Sequence, residues 1–281
     1  MQQQLEQIRD QQKQSWNKFS AGWKKWDELV MDFLKPMGDE IIRLLNPQKN
    51  DNILDVASGT GEPGLTIAAK LSGGKVILTD LADHMLEIAR ENATSKGIYN
   101  IETVTCDVCD LPFPDNTFDA ISCRFGFMFF PDMVLAANEM VRVLKPGGKI
   151  ATSVWNIPEK NFWVTAIMGT INKNMELLPS PPGSPGMFRC AKDGFISEIF
   201  SQAGLKNIFQ TEIFGKLNCK TIDAYWGMQT EVGAPIVAAL GKASDDVKEK
   251  IKIETYAALS QKYPDGNIII DSSALVIYGE K

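Results

Sequence analysis

Ile53-Leu54-Asp55-Val56-Ala57-Ser58-Gly59-Thr60-Gly61-Glu62-Pro63-Gly64 is the stretch whose reading decides the fold. Residues 53–56 are a short apolar run carrying one acid, the glycines punctuate a turn, and Gly64 to Leu71 opens a helix. A strand, a glycine turn and a helix in that order leave free backbone N–H groups and the positive end of a helix dipole facing whatever lies over the turn. Gly59 to Gly64 satisfies G-x-G-x-x-G, and Asp80 stands at the distance from Gly61 at which an acid reads a ribose diol. Taken alone, the turn suits a nicotinamide dinucleotide as well as any other adenosine-containing ligand.

Outward from that turn the chain alternates. Strands are expected at Ile53–Val56, Lys75–Thr79 with Asp80 at its end, Ile101–Cys106 ending at Asp107, Phe118–Ser122 and Lys149–Trp155. Helices are expected between them at Gly64–Leu71, Asp83–Ser95 and Asp132–Leu144, the last closed by Lys145-Pro146-Gly147-Gly148. Such spacing predicts an α/β fold with a doubly wound, mostly parallel sheet that binds ligands at the C-terminal ends of its strands. Beyond Asn156 the pattern lapses into a helical piece (Phe162–Leu177) and a loop rich in proline and glycine (Pro179–Gly186), expected to insert over that end of the sheet. It resumes with a helix (Gly194–Ala203), a strand (Ile208–Phe214), a mainly helical insertion (Asp223–Lys262) and a closing strand (Ile268–Tyr278). The organisation expected is a helical N-terminal lid over residues 1–46 and one domain over 47–281, with insertions at about 156–192 and 221–262.

Residues 1–46 carry Leu5, Ile8, Trp16, Phe19, Trp23, Trp26, Leu29, Val30 and Phe33 at helical spacing, with a break expected at Pro36 to Gly38. The tryptophans either dock this segment on the main domain or present indole faces to a ligand.

Composition narrows the function classes. With 281 residues, of which 44% are hydrophobic, the chain can bury a large core. A net charge of −6 with scattered Lys and Arg lacks the basic footprint of a nucleic-acid binder, which leaves a small molecule or a protein as substrate. No apolar run is long enough to span a bilayer, and the Gln-rich start has no secretory core, so a cytoplasmic protein is expected. The five cysteines are odd in number, and the lone C-x-x-C of Cys106 and Cys109 has neither a second pair nor a histidine cluster, so no metal is expected.

Three acids resolve the ambiguity of the turn. Asp55 lies inside the first strand, where a dinucleotide site carries an apolar residue, and a buried charge there needs a partner such as a ligand's ammonium group. Asp80 and Asp107 end the next two strands, suited to a ribose and to the exocyclic amine of an adenine. Together with Phe118-Asp119 and Lys145-Pro146-Gly147-Gly148, these residues resemble the class I S-adenosylmethionine-dependent methyltransferases, of the ubiquinone/menaquinone-methyltransferase-like, small-molecule type. The resemblance is strong over Asp51–Trp155 and weaker to Ala203; Ala57-Ser58 departs from the family's usual small pair, a small-for-small change.

The resemblance implies a seven-stranded Rossmann-like sheet, S-adenosyl-L-methionine as cofactor and S-adenosyl-L-homocysteine as its product. Carried onto this chain, it places Asp55, Ala57, Gly59 and Gly61 at the methionine part, Asp80 at the ribose hydroxyls, Leu81 and Ala82 at the ribose or the adenine, and Asp107 with Val108 at the adenine. Arg124 is either a partner of the methionine carboxylate or a surface ion-pair residue. Trp16, Trp23 and Phe125 are candidates to face the sulfonium, because aromatic faces attract a soft cation. Phe125, Phe127 and Trp155 are candidate acceptor contacts, the run Phe125–Phe130 reading equally as core.

Methyl transfer from a sulfonium is an in-line displacement that asks the protein mainly for alignment and exclusion of water. The only histidine, His84, lies on the ribose side as a surface or capping residue, and Glu159 is an unsupported candidate base, so no catalytic residue is assigned. The covering segments are rich in Trp, Phe, Met and Pro, which points to an apolar or aromatic small-molecule acceptor for O- or C-methylation. A catalytically silent scaffold that binds the cofactor and a nicotinamide oxidoreductase are the competing readings. The acceptor and the oligomeric state are not written in the sequence.

Overall fold

The computed structural model describes residues 2–177, 181 and 183–281. In chain order the elements are α1 (Gln2–Lys25), α2 (Asp27–Leu45), β1 (Asn52–Val56), α3 (Gly64–Ala68), β2 (Lys75–Asp80), α4 (Asp83–Ser95), β3 (Ile101–Thr105), β4 (Phe118–Arg124), α5 (Met133–Val143) and β5 (Leu144–Trp155). There follow α6 (Phe162–Asn174), α7 (Phe195–Gln202), β6 (Lys206–Lys220), α8 (Ile222–Val232), α9 (Ala234–Leu240), α10 (Asp245–Lys262) and β7 (Ile268–Glu280). Of the loop Pro179–Gly186, residues 179, 180 and 182 lie outside the described residues, as does residue 178 before it.

One seven-stranded sheet runs in the order β3-β2-β1-β4-β5-β7-β6. Pairing is parallel from β3 through β5, and β7 enters antiparallel between β5 and β6. The order reverses between β1 and β4, so a crevice opens at the C-terminal ends of these two strands. Alternation along the strands builds a core on each face. Ile53 of β1, Val76 and Leu78 of β2 and Ala120 of β4 pack with Leu65, Ile67, Leu86 and Ala89 of α3 and α4. Leu54, Ile77, Ile121 and Ile150 pack on the other face with Ala136, Met140 and Phe200 of α5 and α7.

Helix α2 belongs to this core, with Met37 and Ile41 fully buried and its length laid on β4 to β7. The expected break at Pro36 to Gly38 does not occur. The helix continues through Pro36, which costs it only the bond to the carbonyl of Asp32, an exposed residue. The break falls at Trp26 instead, where the indole N–H donates to Glu231 Oε2 at 3.0 Å and Lys25 pairs with Glu231 Oε1 at 2.7 Å.

Strand β6 extends to Lys220, beyond the expected end at Phe214. Gly215 pairs with Ser272, and a side chain there would press on Met37 of α2; this glycine serves a close approach and leaves the strand unbroken. Strand β5 begins at Leu144 because Leu144 already pairs with Phe118 across a register shift. Helix α3 stops at Ala68, its end tightened into turns by the Lys70 and Leu71 N–H groups bonding Ile67 and Ala68, and α6 stops at Asn174, short of Leu177. Among the described residues no helix is long and apolar enough to cross a membrane.

Candidate active site

The turn after β1 is shaped by positive φ angles and by two acids. Gly59 (φ +55) has open space where a side chain would stand, because that space belongs to the cavity above the turn. Gly61 (φ +112) serves the fold, since a Cβ there would lie 2.8 Å from Leu65 Cδ1 and 3.3 Å from Ala89. Ala57 (φ +52) also takes the left-handed conformation and lines the cavity.

Asp55 lies behind the turn, fully buried, and does not line the cavity. The Ser122 hydroxyl donates to its Oδ1 at 2.6 Å and the Gly64 N–H to its Oδ2 at 3.1 Å, which ties β1, β4 and the start of α3 together. Burial pushes its carboxyl up to about 7 against the pull of Ser122.

Asp80 faces the cavity with both oxygens anchored: Oδ2 accepts the Gly59 N–H and Oδ1 the Ala82 N–H, each at 2.9 Å. Burial raises its carboxyl above the ordinary range, opposed by those N–H groups. A carboxylate has about four acceptor positions, so this anchoring leaves capacity for a ligand hydroxyl. Asp107 also lines the cavity, its Oδ1 accepting the Cys109 N–H at 2.9 Å, with Val108 and Leu81 beside it.

The cavity, of about 210 Å³, opens at the β1/β4 crevice and extends beneath α1 and α2. Arg124, at the end of β4, reaches into it. Its Nη2 donates to Met31 Sδ at 3.1 Å, and among the described residues no carboxylate lies within 4.0 Å of it. Burial pulls the guanidinium below its ordinary range, while Glu62, Asp55 and Asp27 counteract that from a distance. A cation so enclosed, with a thioether as its hydrogen-bond partner, is suited to an anionic ligand group. The open space over Gly59, the anchored carboxylate of Asp80 and the unpaired Arg124 fit the polar groups of an amino-acid-bearing nucleoside.

Past Arg124 the walls turn aromatic. Phe125 (φ +61) stacks on Trp155 at 4.2 Å between centroids, and Trp155 continues to Phe33 at 5.6 Å and Trp163 at 4.9 Å. Trp163 is itself fixed, its indole N–H donating to Asn161 Oδ1 at 3.0 Å and its carbonyl accepting from the Tyr225 hydroxyl at 2.8 Å. Trp16 and Trp23 line the cavity from α1, edge-to-face at 6.0 Å. Phe127 does not reach it: a 3-10 turn, Phe127–Phe129, points the ring into the core against Phe130 and Phe200. His84 and Glu159 are exposed and outside the cavity.

The structure thus gathers Ala57, Gly59, Asp80, Leu81, Asp107, Val108, Arg124, Phe125, Trp155, Trp16 and Trp23 around one cavity and leaves Asp55, Gly61, Ala82 and Phe127 out of it. Sequence reasoning missed Met31, Glu62, Trp163, Met228, Gln229 and Val232, which also line it. Glu62 sat in the quoted turn itself; Met228, Gln229 and Val232 fall in the insertion expected at about 221–262, one of the covering segments read as lining an apolar pocket, but nothing local singled these residues out.

Residues 23–165 match the ubiE/COQ5 methyltransferase family. A demethylmenaquinone methyltransferase of Listeria monocytogenes serotype 4a is 39% identical over 185 residues, covering 60% of this chain and 76% of that one. The ubiquinone/menaquinone biosynthesis C-methyltransferase UbiE of Francisella tularensis subsp. novicida is 42% identical over 113 residues, 40% of this chain and 45% of that one. Among solved structures, the YcgJ protein from Bacillus subtilis superposes with a TM-score of 0.57 at 23% identity, over 87% of this chain and 97% of that one, a likeness of fold.

Proposed function

The chain belongs to the ubiE/COQ5 methyltransferase family and is an S-adenosylmethionine-dependent methyltransferase; from that premise we propose that it methylates a ring carbon of a small, apolar, hydroxylated aromatic of the reduced-quinone class. The observation that carries this reading is the aromatic wall of Phe125, Trp155, Phe33 and Trp163 directly beyond the polar end of the cavity. The names of the relatives point the same way. Neither a nicotinamide oxidoreductase nor a silent scaffold is favoured.

In this reading the methionine carboxylate meets Arg124, the ribose hydroxyls meet Asp80, and the adenine lies against Leu81, Asp107 and Val108. Gly59 lets the backbone come close, while Asp55 and Gly61 keep the turn in shape from behind. When bound, the cofactor supplies an activated methyl group. Phe125 lines the cavity beside Trp155, where the attraction of an aromatic face for a sulfonium is worth about 0.5–2 kcal/mol. Trp155 and Trp163 orient a flat acceptor, and α1 with Trp16 and Trp23 acts as a lid that excludes water. A hydroquinone brings its own acidity: the oxygen that ionises activates the adjacent ring carbon for attack on the methyl group, and the proton on that carbon then leaves to solvent as the ring regains its aromaticity, so the attack itself needs no protein base.

Incubation of the purified chain with S-adenosylmethionine and 1,4-naphthoquinone, kept reduced, tests the proposal by mass spectrometry. S-adenosylhomocysteine and a ring-methylated naphthoquinone are expected. Methylation on oxygen alone would correct the reaction type, and turnover only with acceptors of another kind would overturn the acceptor class.

A further inference from the structure

Helix α4 begins without a cap of its own. Its N-cap position is Ala82, whose methyl group accepts nothing, although an exposed first-turn N–H is normally met by a side-chain oxygen. The missing cap comes from α1. Asn17 Oδ1 accepts the His84 N–H at 3.1 Å and Asn17 Nδ2 donates to Asp83 Oδ1 at 2.9 Å. The amide orientation is fixed, since His84 can only donate and the carboxylate of Asp83 only accept. The Asn17 contact is also the first cause holding the Asp83 carboxyl below its ordinary range.

The other polar links on this side of α1 are weak: Arg9 stands 3.9 Å from Asp107, just past β3, Lys13 stands 3.9 Å from Asp83, and Lys24 pairs with Glu91 in the open, contacts worth little in water. Along α1 the buried residues are Phe19 and Ser20. From the capped end of α4 the hydrogen bonds run on to the turn: the Ala82 N–H donates to Asp80, which in turn accepts the Gly59 N–H. Asp80, Leu81 and Met85 of that segment line the cavity, as do Gln12, Trp16 and Trp23 of α1.

We propose that Asn17 is a positioning residue that couples the docking of α1 to cofactor binding, by capping α4 from outside and holding the Asp80–Met85 segment in its binding shape. The proposal rests on the reading that the cofactor occupies this cavity. Coupling is reciprocal, so a bound cofactor also holds α1 down.

The test uses S-adenosylhomocysteine as probe on the full chain, with Kd from calorimetry and the rate of tryptic cleavage at Lys13, Lys18 and Lys24. Asn17→Ala is expected to weaken binding about fivefold, the effect of losing a helix cap. Asn17→Asp, which sets two carboxylates face to face, is expected to weaken it at least as much. The exchange N17D/D83N restores a donor opposite an acceptor and still offers the His84 N–H an oxygen, so it is expected to bind within about twofold of wild type. The probe should slow cleavage of α1 in wild type and in the exchanged pair, and far less in Asn17→Ala. Wild-type affinity in both single variants overturns the proposal, as does an exchanged pair no better than Asn17→Asp, or a melting temperature that falls while affinity holds. Failure of the wild type itself to bind the probe would overturn the cofactor site, and the coupling with it.

Discussion

Asp80 and Asp55 show how two acids of one motif divide between ligand and fold. Asp80 reaches the cavity with its two oxygens anchored on Gly59 and Ala82. Its replacement by alanine removes a hydrogen bond to a charged group, worth about 1.5–3 kcal/mol. Calorimetry of Asp80→Ala should show S-adenosylmethionine binding roughly ten- to a hundredfold weaker, and unchanged affinity in a folded variant removes Asp80 from the site. Asp55 acts on stability. Its folded carboxyl titrates at about 7 against an ordinary 3.8, because burial disfavours the charge. The folded state therefore holds a proton that the unfolded state has released, and stability falls as pH rises from about 4 through about 7, by at most ~1.4 kcal/mol per pH unit. Denaturation curves across that window should be flatter in Asp55→Asn than in wild type; equal slopes would show that Asp55 titrates normally. Both acids were legible in the sequence as charges at strand positions that needed a reason. That Ser122 and Gly64 partner Asp55 was not, since Ser122 reaches it only through the register of β1 on β4.

Adjacent helices α1 and α2 differ in kind. Met37 and Ile41 of α2 are fully buried against the sheet, whereas α1 has Phe19 and Ser20 as its buried residues and polar contacts along its flanks. Helical stability in proteins comes mainly from packing, so α1 should open locally at far lower cost. Hydrogen exchange should find the amides of Asp27–Leu45 protected close to the global limit and those of Gln2–Lys25 exchanging much faster. Equal protection of the two would contradict the difference. Periodicity revealed both helices, because apolar residues recur through Phe33. Where they divide was hidden. Pro36 is the local signal for a break, but α2 tolerates it, and the division at Trp26 depends on Glu231 of α8, far along the chain. The strand expected at Ile208–Phe214 likewise runs on through Gly215, and only the passage of Met37 above that glycine explains why it is a glycine within an unbroken strand.

The whole molecule is organised by the reversal of strand order between β1 and β4. Alternation of strands and helices made the α/β class and the ligand edge legible, because each βα unit follows local rules. The polar end of the cavity was legible for the same reason, its residues lying at successive strand ends within the matched span 23–165. The far end was legible only as segments. Met228, Gln229 and Val232 reach the cavity from α8, outside that span but inside the insertion expected at about 221–262, and no motif singles them out. In the proposed reading these walls choose the acceptor, and they bound how far the names of relatives carry over. The central claim is that the cavity over Gly59 holds the cofactor with its acceptor end against the aromatic wall. A crystal structure grown with S-adenosylhomocysteine tests it most directly. The account predicts the ribose on Asp80, the carboxylate on Arg124 in place of Met31 Sδ, and the sulfur beside Phe125 and Trp155; the ligand bound elsewhere, or reversed with its adenine at Arg124, would contradict it.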